Sequence, residues 1–333
     1  MTRARAIRDL FGRAPSVTAM EVLRDVADRP SGPGSVVTIG AYDGVHRGHQ
    51  AVIAAVRSRA EEASLASAVV TFDRHPASVV RPESAPRLLT DLDQKLELLA
   101  ATGIDRCLVL TFDERRSHEP AEDFVREVLA GALAAKVVIV GEDFHFGHQR
   151  KGNVALLTEM GAELGFEVEG LALVDPSGQP AGPDHVSSTA IRHALVAGDL
   201  ARATVMLGRP HEVRGIVAHG DAADRRRALP TANVSVPGDI LLPADGVYAG
   251  RFERADHEIR GAVVSLGRRP RLYAESHVNL LEAHVLDLDD DLYGEHVRVR
   301  FMERLHDLEP AGSEAEEVAS SRSDCDRVRA LLG

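Results

Sequence analysis

The stretch SVVTIGAYDGVHRGHQ, running from Ser35 to Gln50, carries the pattern that decides the fold. It opens on β-branched residues, which favour a buried strand, and passes into an amphipathic segment from about His49 to Ser64 with apolar residues at helical spacing. Between strand and helix come glycines at 40, 44 and 48. Glycine removes the side chain where an anion must reach the backbone, and the first turn of the following helix offers unpaired N–H groups and a positive dipole end. His46 and His49 stand three apart at that helix start, where ring N–H groups reach phosphate oxygens. The first strand-to-helix turn of a parallel sheet is also where such sheets bind ligands. A lone histidine near a strand end is more often a satisfied polar residue, and a lone glycine-rich turn is common; the combination points to a phosphate site. Gly40, Asp43, Gly44 and Gly48 are therefore nucleotide-binding candidates, and His46 and His49 are candidate catalytic groups. Asp43 fits either the orientation of the turn or a place beside a metal ion.

Outward from this stretch, short apolar runs alternate with longer amphipathic ones, the pattern of a parallel sheet covered by helices. Strands are expected at Val36–Gly40, Ala68–Phe72, Arg106–Leu110, Lys136–Val140 and Glu167–Leu173. Helices are expected at about His49–Ser64, Asp91–Ala101, Ala121–Ala134 and Val154–Leu164, with two short ones after Ser188 and Gly198. Near Gly208 the rhythm changes. Val213–Ala218, Gly246–Phe252, Ile259–Ser265, Leu281–Leu288 and His296–Phe301 follow as strand-like runs without helices between them, which suits an antiparallel barrel. Ser313 to Leu332 reads as a closing helix, and residues 1–34 as a short helical leader ending in Ser31-Gly32-Pro33-Gly34. The expected domains are a 1–34 extension, a 35–207 α/β domain and a 208–333 β-barrel with its helix.

Composition narrows the partners. With 333 residues and 44% hydrophobic content the chain is long enough for two cores. The net charge of −12 argues against a general attraction to nucleic acid or to an anionic membrane surface, so polyanions must be caught locally. The first 30 residues hold no uninterrupted apolar stretch, so neither a secretory signal nor a membrane anchor is expected and the cytoplasm is the default compartment. A homo-oligomer is compatible with the sequence. Cys107 and Cys325 are isolated, without the spacing of a zinc site or a disulfide framework, and read as structural.

Three further blocks follow in the first half: Thr71-Phe72-Asp73-Arg74-His75-Pro76, Gly141-Glu142-Asp143-Phe144-His145-Phe146-Gly147 and Ser187-Ser188-Thr189-Ala190-Ile191-Arg192. A helix starting at Ser188 or Thr189 supplies N–H groups and hydroxyls, and Arg192 one turn in can fork onto phosphate oxygens. Together with the Gly40–Gln50 block they resemble, in order, the bifunctional bacterial riboflavin kinase and FAD synthetase family, and the resemblance extends from about Val36 to near the end. It implies a Rossmann-like nucleotidyltransferase domain, a parallel sheet with helices, followed by an antiparallel β-barrel riboflavin-kinase-like domain. It also implies transfer of AMP from ATP to FMN, giving FAD and pyrophosphate. His46, His49 and Arg192 are then expected to stabilise the phosphates, with Ser187, Ser188, Thr189 and Asp143 binding nucleotide. Tyr42 stands where phenylalanine is usual, and Arg74 where proline is common. Phe72, Phe144 and Phe146 are more often core than ligand, yet aromatics make up only 4% of the chain, and they are candidates for an isoalloxazine wall. Magnesium is implied by the ATP chemistry.

In the second half, Leu229-Pro230-Thr231-Ala232-Asn233 resembles the family's kinase motif in which threonine and asparagine oxygens sit at the magnesium nucleotide. Leu281-Glu282-Ala283-His284-Val285 resembles the strand of the proposed catalytic base. Alternation puts Glu282 and His284 on one face of that strand, with Leu281, Ala283 and Val285 on the other. The resemblance thus implies phosphorylation of riboflavin to FMN with Glu282 as base and Thr231 and Asn233 as metal ligands. Three departures mark this half. Asp221–Ala228 replaces a glycine-rich flap, Gly267-Arg268-Arg269-Pro270-Arg271-Leu272 replaces a small polar segment, and His306 stands where an arginine is expected. They leave open an alternative: adenylyl transfer alone, with the barrel a catalytically impaired flavin-binding or regulatory module. Another phosphorylated small molecule as adenylyl acceptor is a further alternative.

Overall fold

The protein is described here from a computed structural model, which describes residues 20–171, 186–218, 231–267, 278–288, 290–308 and 314–333. Its packing forms two compact units: Met1–Pro86 with Asp91–Val186, and Arg87–Thr90 with Ser187–Gly333.

The first unit is a six-stranded sheet. Its strands are β1 (Glu21–Leu23), β2 (Ser35–Ile39), β3 (Ala66–Phe72), β4 (Arg106–Leu110), β5 (Ala135–Gly141) and β6 (Glu167–Leu171). They lie in the order β1-β4-β3-β2-β5-β6, every neighbouring pair parallel. All five residues of β2 are buried, as a central strand covered on both faces requires. Alternate strand residues feed two cores. Val37, Val70, Leu108 and Val138 pack on one face with Val125, Val128 and Leu157, while Val36, Val69, Cys107 and Val137 pack on the other with Ile53 and Val56.

The longer helices of this unit are α1 (Arg47–Ala63), α2 (Leu92–Ala101), α3 (Ala121–Phe124, running on as the π-helical Val125–Ala132) and α4 (Val154–Leu164). Their ends follow from the sequence. Asp91 and Asn153 cap α2 and α4 by accepting from the N–H groups of Gln94 and Leu156, and Gly165 closes α4 in the left-handed conformation. From β2 the chain winds outward through β3 and β4, then crosses to β5 on the far side of β2. That reversal creates the topological switch point, and the loops after β2 and β5 flank it at the carboxyl ends of the strands.

The leader differs from its expected helical form. Glu21–Leu23 is β1, an edge strand paired with Arg106–Leu108, and Arg106 ties it down through Glu21 and the Ser31 carbonyl. Three residues give no readable period, so only pairing with β4 makes them a strand. Residues 1–19 lie outside the described residues, as do the last two of the expected strand Glu167–Leu173.

The second unit holds α5 (Ser188–Val196) and α6 (Leu200–Leu207), then a closed antiparallel barrel, and finally α7 (Glu314–Leu332). The barrel strands are β7 (His211–Ala218), β8 (Ala232–Pro237), β9 (Gly246–Glu253), β10 (Ile259–Leu266), β11 (Val278–Val285) and β12 (His296–His306), closed in the order β8-β11-β10-β9-β12-β7. Five of these runs are legible in the sequence; β8 is the sixth. By packing, the division falls at Val186/Ser187: α5 packs on α6, and α6 lies against β7 and β12. Gly215 is required where β7 crosses β8, since a Cβ there would sit 2.4 Å from the Ser235 carbonyl oxygen. Outside the barrel, α7 lays Cys325 and Val328 onto Val247, Ala249 and Val263.

Candidate functional site

The turn between β2 and α1 is tightly wound. Tyr42 and Val45 adopt φ of 50° and 38°, and Gly44 between them 82°. The Tyr42 ring folds back over Gly40, where a Cβ would meet it at 3.0 Å. Tyr42 is buried and its hydroxyl pairs with Thr38 Oγ1 at 2.9 Å, so the group that distinguishes it from phenylalanine is satisfied inside the fold. Burial pushes the phenol well above its ordinary range. Asp43 is also buried in this turn.

His46 caps α1. Its Nδ1 accepts from the backbone N–H of His49 at 3.3 Å, which requires the neutral ring to carry its proton on Nε2. The His46 and His49 rings stack with centroids 3.6 Å apart, and Tyr42 leans on His49 at 4.9 Å. Gly48 makes this stack possible: a Cβ there would lie 3.2 Å from His46 Nδ1 and 3.3 Å from the Val186 carbonyl oxygen. The first unit thus brings Gly40, Asp43, Gly44, His46, Gly48 and His49 into one turn at a helix N-terminus.

The neighbouring loops carry the aromatic candidates. Phe72, half-buried at the end of β3, meets Phe112 edge-on at 5.2 Å. After β5, Phe144 stacks on Phe146 at 5.5 Å, and Phe146 is in turn buried against Phe124 at 5.7 Å. Phe146 therefore backs this pair from the core, which leaves Phe72 and Phe144 as the half-exposed rings. Asp143 is exposed, and its carboxylate oxygen lies 3.1 Å from where a Gly141 Cβ would be.

Two residues of this unit escaped the sequence reading. Thr71 Oγ1 donates to the Ala41 carbonyl at 3.2 Å. Lys95, only 7% exposed, donates from Nζ to the Phe72 carbonyl at 2.7 Å and to the Ala41 carbonyl at 3.3 Å. Burial lowers the Lys95 pKa, against the opposing pull of Asp43 and Asp73.

In the second unit, Ser187 is the N-cap of α5, accepting from the Ala190 N–H at 3.2 Å, and Ser188 and Thr189 form its first turn. Arg192 anchors its guanidinium by donating from Nε to the Arg87 carbonyl at 2.7 Å. On the barrel, Asn233 lies directly opposite Glu282 across the β8–β11 pair, with Ser265 opposite Glu282 on its other side. Directly opposed residues leave a sheet on the same face, so Asn233, Glu282 and Ser265 share one. Thr231, two residues before Asn233, is half-buried. The alternation is as expected: Leu281, Ala283 and Val285 are buried, Glu282 and His284 partly open. Asn233 is buried and its Oδ1 has no hydrogen-bond partner among the described residues. Such an oxygen is costly unless a cation or donor comes to it, so Thr231 and Asn233 fit a hard, oxygen-seeking ion such as magnesium. His306 is paired with the Asp324 carboxylate of α7 at 3.1 Å. The replaced flap Asp221–Ala228 and the segment Arg268–Leu272 lie outside the described residues.

Comparison with known proteins follows this division. A family model described as FAD synthetase matches residues 28–190, and one described as riboflavin kinase matches residues 207–332. A bifunctional riboflavin kinase/FMN adenylyltransferase of Pseudomonas fluorescens is 36% identical over 313 residues, covering 94% of this chain and 98% of the relative. The chain belongs to the bifunctional riboflavin kinase/FMN adenylyltransferase family. Relatives of the same description from Escherichia coli K12 and Haemophilus influenzae are each 35% identical, over 84% and 82% of this chain and 88% and 86% of theirs. A Streptococcus pneumoniae crystal structure described as a macrolide-efflux protein superposes with a TM-score of 0.79 at 26% identity, covering 93% of this chain and 99% of that one. Among the described residues no helix is long and apolar enough to cross a membrane.

Proposed function

We propose that the protein converts riboflavin to FMN on the barrel and FMN to FAD at the β2–α1 turn, with ATP as the donor in both reactions. The observation that carries the second assignment is the His46–His49 stack at the N-terminus of α1, with His46 held as the Nε2–H tautomer. In adenylyl transfer a phosphate oxygen of FMN attacks the α-phosphorus of ATP and pyrophosphate leaves. The acceptor is already an anion, so no protein nucleophile is required. The protein supplies position and donors for the crowded phosphorus. The two imidazoles and the N–H groups of the first turn of α1 are those donors. By the family resemblance, Ser187, Ser188, Thr189 and Arg192 take the departing phosphates and Asp143 binds nucleotide. Phe72 and Phe144 offer apolar faces to the isoalloxazine, with Phe146 behind.

On the barrel, Glu282 accepts the proton of the riboflavin 5′-hydroxyl as its oxygen attacks the γ-phosphorus and ADP leaves. Thr231 and Asn233 oxygens would hold the magnesium that travels with the nucleotide; when bound, the ion neutralises charge on the β- and γ-phosphates. The match of residues 207–332 to the riboflavin kinase family and the bifunctional relatives support an active kinase over an impaired module.

Isotope tracing tests the scheme. Riboflavin incubated with magnesium and γ-labelled ATP should give labelled FMN, and FMN with α-labelled ATP should give labelled FAD. FAD carrying no α-label, or FMN carrying no γ-label, would overturn the corresponding half.

A further inference from the structure

Left-handed backbone is unfavourable for a residue with a side chain and persists only where the surroundings over-determine it. Tyr42 and Val45 both adopt it, with Gly44 between them. The Tyr42 hydroxyl bond to Thr38 holds one end of this turn. The adjacent Ala41 carbonyl takes two side-chain donors, Thr71 Oγ1 and Lys95 Nζ. The same ammonium donates to the Phe72 carbonyl at 2.7 Å. Lys95 projects from α2 and is almost fully buried, and the charged groups that act on it are Asp43 and Asp73. Cys107 is its third titratable neighbour, and burial pushes that thiol up to about 12, so it stays neutral across the working range. A buried ammonium is costly unless its donors are used. Here they bind the backbone of the turn that carries His46 and His49 and the backbone of the turn that carries Phe72.

We propose that Lys95 is a positioning residue for adenylyl transfer, its buried ammonium locking the β2–α1 turn to the end of β3. The nucleotide donors and the flavin wall are thereby held in fixed relation to each other. This rests on the reading of that turn as the adenylyl-transfer site.

Lys95→Met keeps the length and apolar stem of the side chain and removes its charge and donors. If Lys95 only fills space, methionine serves equally well. If it positions the turns, kcat/KM for FAD formation from FMN falls on the order of a hundredfold, while the same molecule still phosphorylates riboflavin at the wild-type rate. The pH profile gives a second readout. Because the Lys95 pKa is depressed, FAD formation by the wild type declines on the alkaline side earlier than an ordinary lysine would titrate, and Lys95→Met lacks that limb. Wild-type FAD formation with a wild-type pH profile in Lys95→Met overturns the proposal. If Lys95→Met loses kinase activity as well, the chain has misfolded and Thr71→Val decides, since it removes the other donor to the Ala41 carbonyl. Reduced FAD formation with intact kinase then supports the proposal, and unchanged FAD formation overturns it. A wild type that makes FMN but no FAD would remove the functional reading itself and this inference with it.

Discussion

Replacing Gly48 with alanine separates what the β2–α1 turn does for stability from what it does for chemistry. A Cβ at 48 lies 3.2 Å from His46 Cε1 and Nδ1, and 3.3 Å from the Val186 carbonyl oxygen. The backbone oxygen yields less readily than the ring, so the His46 imidazole turns away by a few tenths of an ångström. That movement strains its 3.3 Å cap on the His49 N–H and its stack on the His49 ring. The lost cap costs about 1 kcal/mol, and alanine over glycine in a helix returns about 1 kcal/mol, so the melting temperature should hardly move. Catalysis has no such offset. If His46 Nε2–H donates to a phosphate, misaiming one charge-assisted bond costs about 1.5–3 kcal/mol, which is roughly ten- to a hundredfold in kcat/KM. The assay is chromatography of flavins after mixing Gly48→Ala with ATP, magnesium and FMN, beside a thermal melt and a riboflavin phosphorylation assay. FAD formation at the wild-type rate would refute the role given to His46. A parallel loss of both activities would refute the local nature of the effect.

Other consequences follow from the same contacts. Tyr42→Phe leaves the buried Thr38 hydroxyl without its partner and should lower stability by about 1–2 kcal/mol in chemical denaturation while FAD formation continues; loss of FAD formation would make the hydroxyl functional. Cys107 and Cys325 are both buried, with thiols raised by burial, Cys107 to about 12, so Ellman's reagent should find no reactive thiol at pH 8 until the protein is unfolded, when it should find two. On the barrel, burial raises the Glu253 carboxyl, but bonds from His257 and Arg300 and the charge of Arg298 outweigh it and hold the group below its ordinary value. A depressed carboxylate contributes stability above its unfolded pKa and loses it as pH falls through the folded one. Glu253→Gln should therefore lower stability at neutral pH and flatten the acid side of the stability profile; an unchanged acid profile would contradict the sign.

The four inner strands of the sheet, β2, β3, β4 and β5, were legible because they are mostly buried and read as apolar runs, and Gly40, Gly44 and Gly48 mark the turn that follows β2. The barrel was nearly so. Strand β8 was hidden because Ala232–Pro237 begins inside a ligand motif and ends on proline, so its residues read as chemistry before they read as a strand. Strand β1 was hidden for a different reason: Glu21–Leu23 is too short to show a period, and its pairing partner Arg106–Leu108 lies far along the chain. Among the candidate site residues, the glycine and histidine spacing pointed to His46 and His49, and the family resemblance pointed to Asn233 and Glu282. Neither pointed to Lys95, whose role comes from a long-range bond to the carbonyl of Ala41, or showed that Phe146 is held against Phe124 and that Phe144 covers it. Side-chain bonds to distant backbone leave no local pattern, which is why the supporting residues of this site appear only in the folded chain.

One chain carries two ATP-dependent transfers, on separate sets of residues. Riboflavin, FMN and FAD should be followed over time in His49→Ala and Glu282→Ala, each supplied with ATP and magnesium. His49→Ala should turn riboflavin into FMN and stop there, and Glu282→Ala should make FAD from added FMN but nothing from riboflavin. FAD appearing in the first variant, or FMN arising from riboflavin in the second, would contradict that separation.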